Sequence, residues 1–96
     1  MIKHIVCFKL KNANSDECQK AAQILKSMEG RVPQIINIEV GTDVLHSARS
    51  YDIILQVTVK NMSELESYQK DPYHCETVKK HMHAVTQSSV AVDYIV

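Results

Sequence analysis

Residues Tyr51 to Lys60 alternate without interruption, with Tyr51, Ile53, Leu55, Val57 and Val59 on one parity and Asp52, Ile54, Gln56, Thr58 and Lys60 on the other. A period of two puts successive side chains on opposite faces of a strand. One face of this strand is therefore apolar throughout and the other is mostly polar, the pattern of a sheet that buries one side against something else. The rest of the chain must supply the partner strands and the layer that covers the apolar face.

Met1 to Lys11 has the same period: Ile2, Val6, Phe8 and Leu10 share a face with His4, while Ile5 and Cys7 lie opposite beside Lys3 and Lys9. Asn12 to Ser15 breaks this strand, and a helix starts at Asn14 or Ser15, with Asp16 and Glu17 favoured by the positive end of its dipole. Cys18, Ala21, Ala22, Leu25 and Met28 follow at helical spacing as the buried stripe. Gly30 suits a left-handed position after that helix, and Pro33 keeps it from resuming. Ile35 to Val40 is β-branched and bounded by Pro33 and Gly41, which predicts a second strand. A long polar connection, Gly41 to Ser50, leads to the strand at Tyr51, where Arg49-Ser50-Tyr51-Asp52 is expected to fix the turn by charge-assisted hydrogen bonds. Ser63-Glu64-Leu65-Glu66 has the form of a capping box opening a short helix. Asp71-Pro72 reads as a cap followed by proline at the first helical position, starting another helix that runs to about Ala84. On it His74, Val78, His81, Met82 and Val85 share the apolar side. Ser88 to Val96 closes the chain as a fourth strand, with Val90, Val92, Tyr94 and Val96 on one face.

The order is β-α-β-β-α-β, which predicts an α+β fold of ferredoxin-like topology: a four-stranded antiparallel sheet with helices on one face. With 96 residues the chain forms one domain over 1–96 and has no room for a second core. The uncovered sheet face is expected to carry Ile5, Cys7, Ile54 and Ala91 among polar residues. Packing that face against a second copy buries surface that so short a chain can ill spare, so a homodimer is expected.

Lysine plus arginine equals aspartate plus glutamate at 11 each, which gives no basic patch for nucleic acid or an anionic membrane surface. The apolar stretch at Met1 to Val6 is too short for a signal peptide, and nothing approaches the length of a membrane span. Cys7, Cys18 and Cys75 have no metal-ligand spacing and read as reduced thiols in a cytoplasmic protein. Gly30 and Gly41 are the only glycines, so no glycine-rich phosphate loop exists.

Five segments resemble the stress-responsive A/B-barrel (Dabb) family in order and separation. They are His4-Ile5-Val6 with Phe8-Lys9-Leu10, Ile38-Glu39-Val40-Gly41, Arg49-Ser50-Tyr51-Asp52, Asp71-Pro72-Tyr73-His74, which resembles the family's His-Pro-x-His, and Val90-Ala91-Val92-Asp93-Tyr94. The resemblance implies a dimeric α+β barrel in which two four-stranded sheets associate. Among members with known roles are stress-induced plant proteins and a polyketide cyclase performing an intramolecular aldol condensation. In that cyclase a tyrosine and a histidine do the chemistry, and the positions here are Tyr68 and His74. An opening-strand histidine near the pocket corresponds to His4. The chain departs from the family pattern at Asp71, which replaces the first histidine of the segment, at His81, where an aromatic residue is common, and at Ala84, where proline is common.

Histidine is the natural general base near neutral pH, and a tyrosine hydroxyl can orient a carbonyl or enolate. Tyr68 ends one helix and His74 begins the next, so the bend between them directs both side chains toward the space under the helices, with His4 rising from the sheet. Such a trio suits proton abstraction next to a carbonyl. Each member also has an ordinary structural explanation: a hydrogen-bonded histidine under helices, a core aromatic, and a capping or packing histidine. No metal is expected at His74, His81 and His83, because i and i+7 lie about 10 Å apart along a helix and i and i+2 diverge. No acidic cluster demands the magnesium ion that some family members hold, and no other cofactor is implied. Cys75 beside His74 does not make a nucleophilic dyad, since helix neighbours diverge by roughly 100°. Three functions follow: a dimer that binds a small organic molecule, a cyclase, lyase or isomerase using His74, Tyr68 and His4, and a structural dimer whose cavity its own side chains fill. Cavity volume separates the third from the others, and turnover separates the first two.

Overall fold

In the computed structural model, which describes Met1–Val96, the chain runs through β1 (Ile2–Leu10), α1 (Ser15–Lys26), β2 (Asn37–Thr42), β3 (Ile53–Val59), α2 (Met62–Lys70), a π-helical segment (His74–Lys79), α3 (Lys80–Val85) and β4 (Thr86–Ile95). The strands form one antiparallel sheet in the order β2-β3-β1-β4, the α+β ferredoxin-like arrangement the sequence predicts. Ile2, Leu10, Ile53, Leu55, Val57 and Val59 pack from the sheet against Ala21 and Leu25 of α1, Leu65 and Tyr68 of α2, and Val78 and Met82 of the last helix. The covered face is the one that carries the even parity of β1 and the odd parity of β3.

The expectations for the start of α1 and for Gly30 hold, whereas those for β2, α2 and Arg49 shift. Asn14 caps α1, its side chain accepting from Glu17 N at 2.8 Å. Gly30 is left-handed at φ 78°, in the turn that follows Ser27 past the end of α1, as expected. β2 starts at Asn37, two residues late, and continues through Gly41, which lies opposite Ile54 where an added Cβ would stand 3.4 Å from Ile54 Cγ2. The cap of α2 is Asn61 and not Ser63: Asn61 Oδ1 accepts from Glu64 N at 2.9 Å. Arg49 forms no ion pair; Asp52 instead accepts the backbone N–H of Leu10 at 2.8 Å, tying the start of β3 to the end of β1.

The face of β4 requires the largest correction. Val90, Val92 and Tyr94 pair with Cys7, Ile5 and Lys3, whereas Ala91 and Asp93 pair with Val6 and His4. Directly paired residues of an antiparallel ladder share a face. The open face therefore carries Val90, Val92 and Tyr94 beside Ile5, Cys7 and Ile54, while Ala91 belongs to the helix-covered side. Beyond this regular stretch lies an irregularity between Lys9 and Leu10, where β4 advances by two residues for one on β1. It puts Thr86, opposite Leu10, and Ser89, opposite Phe8, on the same covered face.

Candidate functional site

His4 sits in the middle of β1, the strand flanked by β3 and β4, on the face beneath the helices. It is buried, and its cross-strand neighbour Asp93 bonds to its Nδ1 at 2.5 Å. A carboxylate at Nδ1 fixes the ring's orientation and favours a proton on that nitrogen.

Tyr68, in the last turn of α2, is fully buried with its ring between the two histidines. Its centroid lies 5.7 Å from that of His4 in an edge-on arrangement and 4.6 Å from that of His74 in a tilted one. The phenol donates to Met28 Sδ at 3.8 Å, a weak acceptor. Burial pushes its pKa well above the usual tyrosine range, so the hydroxyl keeps its proton.

The last helix is fixed at its start by two contacts that also aim His74. Asp71 Oδ1 accepts from Tyr73 N at 2.9 Å and His74 N at 3.3 Å, and Tyr73 Oη meets Ser27 Oγ at 2.7 Å. The aspartate that replaces the family's first histidine is thus the helix cap. His74 begins the π-helical segment, and its Nδ1 is buried with no hydrogen-bond partner. Burial holds its pKa below the usual histidine value, with the charges of Lys79 and His4 acting the same way and the Gln69 carbonyl and Asp71 carboxylate opposing. Neutral imidazole at physiological pH is the form that accepts a proton.

His4, Tyr68 and His74 line one cavity of about 180 Å³ between sheet and helices. The structure brings together all three residues singled out from the sequence, although the Tyr68 hydroxyl turns toward Met28. Asp93, Lys79, His83, Thr86 and Ser89 were missed: the first pairs with His4, and the others line the cavity. The face of Asp93 depends on the β1–β4 register, for which the sequence carries no signal. Cys75 donates its thiol to the Gln69 carbonyl at 3.2 Å, away from a dyad with His74. No three histidine, cysteine or acidic side chains converge to hold a metal ion, and no helix is long and apolar enough to cross a membrane.

The model of the stress responsive A/B barrel domain matches residues 2–96. The chain belongs to the Dabb family. No curated protein matches this Dabb chain by sequence. Among solved structures, it is similar to a dimeric ferredoxin-like protein of unknown function from Thermobifida fusca, at 21% identity over 99% of this chain and 90% of that one, with a TM-score of 0.85. A Dabb family protein of ferredoxin-like fold from Mesorhizobium loti is 18% identical over 99% and 95% of the two chains, with a TM-score of 0.83. A hydroxynitrile lyase from Passiflora edulis is 16% identical over 99% and 92%, with a TM-score of 0.82. At these identities the likeness establishes the shared Dabb fold and no shared activity.

Proposed function

We propose that this Dabb domain is a cytoplasmic homodimer that binds a small organic molecule in the cavity between sheet and helices. The observation that carries the reading is the convergence of His4, Tyr68 and His74 on that cavity, with apolar walls and one imidazole nitrogen left without a partner. Its volume of about 180 Å³ is small for a drug-sized ligand. It slightly exceeds the roughly 150 Å³ engineered cavity that takes up benzene, which sets the size of the ligand's body. A self-filled structural dimer would leave no such space. The apolar open face and the dimeric state of similar structures support the dimer. Three free thiols suit a reducing compartment.

Proton transfer is a second reading, favoured by the carboxylate-braced His4 and the neutral His74. In it His74 takes a proton next to a substrate carbonyl, His4 supports the developing charge, and the Tyr68 hydroxyl exchanges its weak thioether acceptor for the carbonyl oxygen. His74→Ala tests both readings. Circular dichroism and dimer mass should be unchanged, binding should weaken, and any turnover should fall by about 10²- to 10⁴-fold, the contribution of a positioned base. An unfolded His74→Ala protein, or one that binds and turns over as before, removes the histidine from the site.

A further inference from the structure

The cavity is polarised along its length. Val6, Phe8, Leu25, Leu55, Val78 and Met82 form an apolar interior, whereas the exposed residues on its lining, Lys79, His83 and Ser89, mark the mouth. Lys79 enters no ion pair. Thr86 also lines the cavity, and its Oγ1 is buried with no hydrogen-bond partner. No carboxylate lines the space, and the nearby Asp93 is engaged by His4. The mouth therefore presents an ammonium group, two hydroxyls and an imidazole, all able to donate, with no acid to satisfy them. A cationic ligand would meet Lys79 with like charge. A wholly apolar ligand would leave the Thr86 hydroxyl unpaired and buried, at a cost.

We propose that the cavity selects a small monocarboxylate with an apolar body about the size of a benzene ring, its carboxylate held at the mouth by Lys79, His83, Thr86 and Ser89. This deepens and rests on the ligand-binding reading above. The β1–β4 irregularity supports it structurally, since that offset alone brings Thr86 and Ser89 to one face.

Benzoate and its neutral isostere benzamide separate shape from charge. Each is titrated into the full-length protein at neutral pH and followed by backbone amide NMR. Benzoate should bind roughly ten-fold more tightly than benzamide, with shifts centred on His4, Tyr68, His74 and Thr86. Lys79→Met keeps the apolar stem of an exposed side chain and Thr86→Val keeps the branched shape. Lys79→Met should reduce the ratio by weakening benzoate alone, whereas Thr86→Val should weaken both compounds, since the benzamide carbonyl also accepts from the hydroxyl. Equal affinities, or tighter benzamide, would overturn the carboxylate and leave the ligand site standing. If neither compound perturbs the cavity residues, the carboxylate proposal and the benzene-sized site fall together.

Discussion

His74 combines three properties: a backbone N–H held by Asp71, an Nδ1 sealed from solvent without a partner, and a pKa lowered chiefly by burial. Because the folded state disfavours the imidazolium, the unfolded chain protonates first as pH falls. His74 adds no pH dependence to stability well above the ordinary histidine value of about 6.5, and stability falls as pH drops through that value toward the lowered folded one. A ring-proton titration should give His74 a midpoint below about 6.5. In urea melts at pH 7 and pH 5, wild type should lose more stability on acidification than His74→Gln does. An equal loss in both would mean the imidazole is solvated. At this scale the sequence was most informative where chain-local parity decides the matter: His4 shares its face with Ile2 and Val6, and that alone put it under the helices. Asp93 was illegible, because which residue faces His4 across the sheet is decided by tertiary register, 89 positions away.

The helix starts show how similar local signals compete. Ser63 and Glu66 have capping-box spacing, but Asn61 is the residue in extended conformation whose side-chain oxygen Oδ1 accepts from the third helical N–H. Two candidates this close cannot be ranked from composition, since asparagine and serine cap about equally well. Asn61→Ala should cost about 1 kcal/mol in chemical denaturation, while Ser63→Ala should stay within about 0.5 kcal/mol. The reverse order would restore the capping box. β3 was readable because one parity is apolar throughout and the other is polar except at Ile54. β2 runs past its expected end because Gly41 is accommodated in the ladder opposite Ile54. The π-helical start of the last helix has no periodic signature of its own; Asp71 and the Tyr73–Ser27 contact fix it from outside.

Over the whole molecule, the corrected β4 register makes the open sheet face more apolar than the sequence suggested. Val90, Val92 and Tyr94 are 50%, 62% and 43% exposed, and they adjoin Ile5, Cys7 and Ile54 in one continuous patch. A patch of this kind on a small domain marks an interface. Light scattering at micromolar concentration should give twice the chain mass, and Val92→Asp, which puts a charge at its centre, should give the monomer. A wild-type monomer would refute the dimer. The cavity lies on the opposite side of the sheet, so the two proposals fail independently. Carbon-13 NMR of the histidine rings, during titration with benzene-sized carbonyl compounds, reads the cavity directly. The rings of His4 and His74 should shift together and saturate together, while His46, in the loop after β2 and outside the cavity, stays fixed. Compounds that leave His4 and His74 unmoved, or that shift only His46, would contradict a ligand site between the sheet and the helices.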